Sequence, residues 1–178
     1  WAHPLGTDHL GRDVLSRVAH GGRVSLTISA LAVLLAGLTG TALGLLAGFL
    51  GGWVDNLIMR LIDVQMAFPV ILLIILLLAI FKPNLTSLVL ILGFATWIDY
   101  ARMIRAEVLR KREETFVEAA GALGASAGRV MLRHILPNLV PSIIILATLT
   151  VPRIILVESA LSWLGLGVQP PTPSWGGM

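Results

Sequence analysis

Residues Val24 to Val54 read VSLTISALAVLLAGLTGTALGLLAGFLGGWV, a run of 31 residues in which no side chain is charged. The hydrocarbon layer of a bilayer is roughly 30 Å thick, and about 20 helical residues cross it. Because lipid offers the backbone no hydrogen-bond partners, such a run is expected to be an α-helix. The sequence therefore predicts a membrane-spanning helix near residues 24–50.

The rest of the chain repeats this pattern. Three further uncharged runs have 18, 16 and 19 residues: Val64–Phe81, Pro83–Ile98 and His134–Pro152. They predict spans near residues 67–81, 85–103 and 139–161. Only 13% of the 178 residues are charged, against about 25% in a soluble domain, which excludes an ordinary soluble enzyme. The apolar residues are consecutive and do not alternate, which excludes a β-barrel. The predicted fold class is all-α, a polytopic transmembrane helical bundle.

The distribution of charge predicts the orientation of these spans. Residues 102–133 hold seven basic and four acidic side chains, and their net charge of +3 equals that of the whole chain. The positive-inside rule places residues 102–138 in the cytoplasm. Alternation of the spans then puts residues 51–66 inside, and residues 1–23 and 162–178 outside. Three arginines within residues 1–23 argue against this orientation.

Both ends of the sequence differ from those of a complete protein. The first residue is Trp1, and residues 1–23 lack the basic and then apolar layout of a signal peptide. We therefore expect one transmembrane domain over residues 1–178 that lacks spans at both ends. A processed or naturally short protein is the alternative.

A stripe of small residues recurs at every fourth position of the first span. Its members are Ala32, Ala36, Gly40, Gly44, Gly48 and Gly52. Small residues at this spacing allow the backbone of another helix to approach closely. We expect a helix–helix seam centred on Gly40, Gly44 and Gly48, and the stripe identifies no ligand.

Two groups of polar residues invite a metal-site hypothesis, and we expect a metal at neither. Asp55 and Asp63 lie two helical turns apart with Arg60 between them, which favours a surface helix in which Arg60 pairs with Asp63. The histidine and aspartate residues of the segment 3–20 are irregularly spaced, which is typical of a loop.

The segment 102–138 combines basic charge with an amphipathic pattern. Its apolar residues are able to form one helix face: Val108, Leu109, Phe116, Val117, Ala120 and Leu123. Such a stripe, flanked by arginines in the cytoplasm, favours a protein partner. A helix lying on the membrane surface is the alternative. Nucleic-acid binding is disfavoured, because acidic residues are interleaved with the basic ones and aromatic residues are scarce.

This segment also has a distinctive spacing. It reads Glu118-Ala119-Ala120, three residues, Gly124, nine residues and His134-Ile135-Leu136-Pro137. The pattern resembles the signature loop of the inner-membrane permeases of binding-protein-dependent ABC importers. That family usually has Ile where this chain has His134, and the variant is typical of the peptide and nickel importer branch, which includes the C-like dipeptide and oligopeptide permeases. Three further stretches resemble the same branch in the expected order: His3–Asp13, Gly51–Pro69 and Glu158–Gly176.

The resemblance implies the MetI-like permease fold, with four of six expected spans in this sequence. It also implies a short coupling helix that docks on a separate ATPase subunit. The residues implied in that loop are Phe116, Glu118, Ala119, Ala120, Leu123, Gly124, Leu136 and Pro137. Gly124 would allow a tight turn beside the ATPase, and Glu118 would pair with a basic group there or cap the local helix.

The resemblance further implies a set of partners and a location. The partners are a second homologous permease subunit, two ABC ATPase subunits and an external solute-binding protein, all at the prokaryotic plasma (inner) membrane. Neither Lys82 nor Lys111 follows a Gly-x4-Gly sequence, so the 178 residues hold no P-loop. We therefore expect no cofactor and no catalysis in this chain, with ATP and Mg²⁺ on the ATPases.

The expected function is translocation of peptides, or of nickel and related small solutes. A gradient-driven secondary carrier is the alternative from a different class. An intramembrane protease is disfavoured, because the sequence contains no Gly-x-Ser-x-Gly motif.

Charged residues within the spans are costly in lipid and are candidates for function. Asp99 lies near the inner end of its span, and we expect it to pair with Arg102 or Arg105. Arg153 and Glu158 lie in the outer half of the fourth span, where we expect a pair that faces the pathway near an outer gate. Snorkelling to the membrane interface is the alternative for both. Two prolines are able to kink this span: Pro141 and Pro152.

Overall fold

The computed structural model describes residues 3–8, 10–169 and 171–178. Their helices are α1 (Val14–Leu50), α2 (Gly52–Met66), α3 (Val70–Phe81), α4 (Leu85–Arg112), α5 (Thr115–Ala122), α6 (Ala127–Arg129), a π-helical turn (Val130–Ile135) and α7 (Leu136–Trp163). The predicted all-α class is confirmed. His9, which belongs to the histidine group considered for a metal, and Pro170 of the C-terminal resemblance lie outside the described residues.

Among the residues that the structure describes, three helical runs are long and apolar enough to cross a membrane: α1, α4 and the continuous run Ala127–Trp163. With only 12 residues, α3 is shorter than the roughly 20 that a span needs. It follows α2 after a bend of 85°, and the bent pair is the fourth candidate span. In α7 the helix passes through Pro141 and Pro152 without interruption.

The helices extend beyond the uncharged runs. The segment 14–23, which we treated as an external loop, forms the first turns of α1. The Asp13 carboxylate caps it by accepting a hydrogen bond from the backbone N–H of Ser16 at 2.8 Å. At the other end of the bundle, α4 continues to Arg112, nine residues past the predicted limit. A helix satisfies its own backbone in water as well as in lipid, so a change in polarity does not by itself end it.

The small-residue stripe brings α1 against α4. A Cβ atom on Gly44 would lie 2.5 Å from the carbonyl oxygen of Ala101, and one on Gly40 would collide with the carbonyl oxygen of Trp97. A Cβ atom on Gly48 would lie 2.8 Å from Val108 Cβ. The backbone of α1 therefore lies directly on α4 along this line.

The stripe ends earlier than the spacing predicts. Gly52 lies beyond the end of α1, and no atom of the described residues lies within 4 Å of its Cβ position. Gly51, with φ of 64° and ψ of −156°, ends α1 and turns the chain into α2. These dihedral angles are essentially restricted to glycine.

The buried apolar residues form two clusters. The larger lies between α1, α4 and parts of α2, α3 and α7. The smaller, which we call the inner cluster, lies at the end of the bundle predicted to face the cytoplasm. Its buried members are Leu45, Ile104, Val108, Val117, Ala120, Val130, Ile135 and Leu139. These residues come from α1, α4, α5, the π-helical turn and α7, so this cluster joins five elements.

Candidate functional site

Helix α5 is anchored to the bundle by one of its faces. The chain turns out of α4 where Lys111 Nζ pairs with Glu114 Oε1 at 2.8 Å. Val117 and Ala120 are buried in the inner cluster, and the half-buried Phe116 packs against it. The side chains that hold α5 in place are therefore apolar.

The other face of α5 is open to solvent. Glu118 and Ala119 are exposed, and the Leu123 side chain that follows the helix is 90% exposed. We predicted a single apolar face for residues 108–123. In the structure Val108 and Val117 point into the inner cluster while Leu123 points away from it. Leu123 lies just past the end of α5 at Ala122, where the chain turns away from the bundle. A pattern written for one continuous helix over residues 108–123 misses both the break between α4 and α5 and this turn.

The turn after α5 depends on the backbone conformation of Gly124. Its φ angle is 81°, its N–H donates to the carbonyl of Gly121 at 2.9 Å, and the N–H of Ala125 donates to the carbonyl of Ala120 at 3.0 Å. This pair of bonds is a Schellman motif, in which glycine is preferred because it adopts left-handed φ without strain. No atom of the described chain lies within 4 Å of a Cβ at Gly124. Within this chain, glycine is therefore required by its left-handed φ angle and not by a lack of space for a side chain.

The remaining motif residues follow at the start of α7. Val130–Ile135 is a π-helical turn, a rare conformation that is often found at functional sites. Leu136 is half-buried and Pro137 is exposed in the first turn of α7. Asn138 Nδ2 donates to the carbonyl of His134 at 2.6 Å. The motif residues thus surround the inner cluster, from α5 to the first turn of α7.

An ion pair ties α2 to α4 near the same end of the bundle. Arg105 donates from Nε to Asp55 Oδ1 and from Nη2 to Asp55 Oδ2, the latter at 2.5 Å. The expected pair between Arg60 and Asp63 is wrong, since in the described part of the chain neither residue forms an ion pair. Local spacing predicted a bond within α2, whereas Asp55, two turns before Asp63, reaches across to α4.

A second ion pair joins α4 to α7. Arg153 Nη1 lies 2.7 Å from Asp99 Oδ2, and their side chains are 57% and 43% exposed. Our expectation that Asp99 pairs with Arg102 or Arg105 is therefore wrong. The guanidinium of Arg102 instead lies 3.2 Å from the sulfur of Met66, and that of Arg105 is held by α2.

Glu158 does not pair with Arg153 as we expected, and it is fully buried. Its carboxylate accepts hydrogen bonds from Ser25 Oγ at 3.1 Å and from Ser162 Oγ at 2.7 Å. Ser25 Oγ in turn accepts the backbone N–H of Trp175 at 3.2 Å. The carboxylate thus links α1, α7 and the C-terminal segment.

Trp175 seats that C-terminal segment on α1. Its indole Nε1 donates to the carbonyl of Val18 at 3.0 Å, and a Cβ atom on Gly22 would lie 2.8 Å from its ring. No motif considered in the sequence predicts this contact. The available signal was the small pair Gly21-Gly22 one turn before Ser25, which leaves room for a large side chain.

The N-terminal loop is held together by Asp8. Its carboxylate accepts the backbone N–H groups of Leu10 and Arg12 at 2.9 Å and pairs with the side chains of Arg12 and Arg17. These bonds, led by the one from the Arg12 backbone, hold the pKa of Asp8 far below its ordinary value of 3.8. Two of the three arginines that argued against the predicted orientation are therefore paired locally.

These features together define a class of protein. In the described residues, the bundle has three long apolar helices and a bent fourth candidate span. An ion pair joins α4 and α7 well inside both helices. One face of α5 is exposed to solvent and the other is anchored in the inner cluster. This combination is typical of a membrane transport component.

Comparison with known proteins identifies the family. Residues 40–178 match the family of binding-protein-dependent transport system inner membrane components. The chain belongs to this family, whose members are transport permeases and not enzymes, and it is a multi-pass protein of the bacterial inner membrane.

Two curated relatives show how much of a family member this sequence represents. The chain is 44% identical over 176 residues to the dipeptide transport system permease protein DppC of Alkalihalophilus pseudofirmus, covering 99% of this chain and 58% of the relative. It is 42% identical over 177 residues to the glutathione transport system permease protein GsiD of Pectobacterium atrosepticum, covering 99% of this chain and 59% of the relative. The chain thus spans less than two thirds of the length of these relatives.

Proposed function

We propose that the whole protein is the permease subunit of an ATP-driven ABC importer that carries peptides, or nickel and related small solutes, into the cell. The similarity to relatives named for dipeptide and glutathione transport supports peptides as the substrate class. The protein works with a second homologous permease subunit, two ABC ATPase subunits and an external solute-binding protein. ATP and Mg²⁺ bind to the ATPase subunits.

The observation that carries this proposal is the two-faced arrangement of α5. One face is locked into the bundle by Val117 and Ala120, and the other presents Glu118, Ala119 and Leu123 to solvent. An exposed leucine beside small residues fits a groove on a partner protein, and Glu118 is free to meet a basic group of that partner.

The inner cluster is able to transmit a displacement of this surface to the membrane spans. Val117 and Ala120 of α5 belong to the same packed cluster as Ile104 of α4 and Leu139 of α7. Protein interiors are close-packed and transmit displacement. A movement of α5 that follows closure of the ATPases therefore shifts the inner ends of α4 and α7.

Reconstitution tests the proposed function. The full-length protein is placed in proteoliposomes with its ATPase subunits and second permease, and uptake of a labelled dipeptide from its binding protein is measured. We expect uptake to require ATP and to continue when an uncoupler collapses the proton gradient. Uptake that stops on collapse of the gradient at constant ATP would instead establish a gradient-driven carrier.

A further inference from the structure

We propose that a charged trough along α4 binds the two termini of a zwitterionic peptide as it crosses the membrane. The charged trough consists of Asp63, Asp99, Arg102 and Arg153 with the grooves between them. This inference rests on the proposed import function and names the residues of this chain that contact the substrate.

The trough is continuous because three open grooves share their walls. One groove is lined by Asp63, Met66 and Arg102, and the next is lined by Arg102, Asp99 and Arg153. A third is bordered by Met66, Asp99 and Arg153. The three grooves therefore form one surface between α2, α4 and α7.

The ion pair of the trough lies deep within its helices. Asp99 and Arg153 are each ten or more residues from either end of α4 and α7, which corresponds to roughly 15 Å of helix axis. Both residues belong to candidate spans. Charged side chains within a span rarely face hydrocarbon and are candidates for a substrate or ion pathway. Because both side chains are about half exposed on this chain, the surface they face must be aqueous or covered by another polar surface.

The chemistry of the pair matches the two ends of a peptide. In the empty trough Arg153 neutralises Asp99, so that neither of these two charges lacks a partner. When a zwitterionic peptide binds, its free carboxylate replaces Asp99 as the partner of Arg153. Its free ammonium replaces Arg153 as the partner of Asp99. Its carboxylate binds the guanidinium of Arg153 by paired N–H···O bonds, and its ammonium binds the carboxylate of Asp99. The total charge is unchanged by the exchange.

The rest of the trough extends the same chemistry towards the inner end. Arg102 and Asp63 form no ion pair within the described ranges, so they provide a second cation and a second anion. Met59, Met66 and Met103 line the same grooves. Methionine adapts to irregular shapes, which suits a path that accepts different peptide side chains while selecting for charged termini.

A purely structural ion pair is the competing explanation, and its exposure argues against it. Half-exposed pairs contribute little to stability, because solvent screens them and ordering two side chains costs entropy. The buried contacts of α7 with α1, which include the hydrogen bond that Ser25 Oγ donates to Glu158, already hold α7 in place.

The test measures selectivity for peptide termini in the reconstituted full transporter. Uptake of free dialanine is compared with that of its C-terminal amide and of its N-acetyl derivative. The binding protein is the same in every sample, so its own selectivity cancels when variants are compared with the wild type. We expect Arg153→Gln to lower the preference for a free carboxylate about tenfold, and Asp99→Asn to lower the preference for a free ammonium about tenfold.

Two further variants keep the test decisive if a single change impairs folding. The double variant Asp99→Asn with Arg153→Gln leaves no isolated charge, and we expect it to lose both preferences. Arg60→Gln removes an exposed charge that lies outside the three grooves, and both preferences should stay at the wild-type level. Preferences that remain within twofold of the wild type in the double variant would overturn the inference and leave the proposed function intact. A wild-type transporter that takes up no peptide would contradict peptides as the substrate class of the proposed function, on which this inference rests.

Discussion

The seam between α1 and α4 makes a quantitative prediction about two glycines on the same helix. Replacing Gly44 with Ala places a Cβ atom 2.5 Å from the Ala101 carbonyl oxygen and 3.0 Å from Ile104 Cβ. Favourable contacts between heavy atoms are about 3.5 to 4.0 Å long, so the helices must separate by roughly 1 Å. Gly37→Ala is the matched change, because its Cβ atom lies 3.5 Å from Tyr100 Cε1 and needs no movement.

The two variants should differ in the sign of their effect on stability. Overpacking costs about 1 to 3 kcal/mol, and the Gly44 collision is with backbone that cannot rotate away, which favours the upper value. Replacing glycine with alanine within a helix stabilises the helix by about 1 kcal/mol. We therefore expect Gly44→Ala to destabilise by about 2 kcal/mol and Gly37→Ala to be neutral or slightly stabilising.

Unfolding of the full-length protein in mixed micelles measures this difference. The midpoint of an SDS titration, followed by circular dichroism, should fall for Gly44→Ala and stay or rise for Gly37→Ala. Equal midpoints for the two variants would refute the conclusion that close packing of α1 on α4 requires glycine at position 44.

Two other predictions concern the ends of the bundle. In the turn after α5, Gly124→Asn should preserve most transport because Asn tolerates left-handed φ. Gly124→Val should lose most of the transport activity. Gly121→Ala, in α5 itself, is the control. A Gly124→Asn protein that folds and reaches the membrane but transports no better than Gly124→Val would show that space at the ATPase, and not conformation, requires glycine. For the buried carboxylate, Glu158→Gln retains an acceptor for one serine hydroxyl and should cost less stability than Glu158→Leu. The leucine leaves both hydroxyls without their acceptor, at about 1 to 3 kcal/mol for each hydroxyl. Thermal unfolding in detergent compares the two, and equal melting temperatures would contradict a role for these hydrogen bonds.

The sequence predicts the features that depend on neighbouring residues. The uncharged run at Val24–Val54 predicts a helix because lipid leaves the backbone no other partner. The four-residue spacing of Gly40, Gly44 and Gly48 identifies a close-packing face, although its partner helix, α4, is visible only in the structure. The end of α4 at Arg112 was missed, because hydrophobicity marks the edge of the membrane and not the end of a helix.

The errors in ion-pair partners all involve side chains that bond across the bundle. Asp99 and Arg153 are 54 residues apart, and Ser25 and Glu158 are 133 residues apart. Local spacing favours partners one helical turn away, and it carries no information about which helices are adjacent in space. Partner choice for a charge in a membrane helix therefore depends on tertiary packing.

Labelling of a single cysteine tests most directly whether α5 is the docking surface for the ATPase. The 178 residues contain no cysteine, so Leu123→Cys introduces one thiol at a side chain that is 90% exposed. Trp163→Cys is the matched control. Its side chain is 82% exposed and lies at the end of α7 that is away from α5. In the full-length protein, with any cysteine outside these residues replaced, the ATPase subunits should slow maleimide labelling at position 123 at least tenfold and leave position 163 unchanged. Equal labelling at position 123 with and without the assembled ATPase would contradict the account.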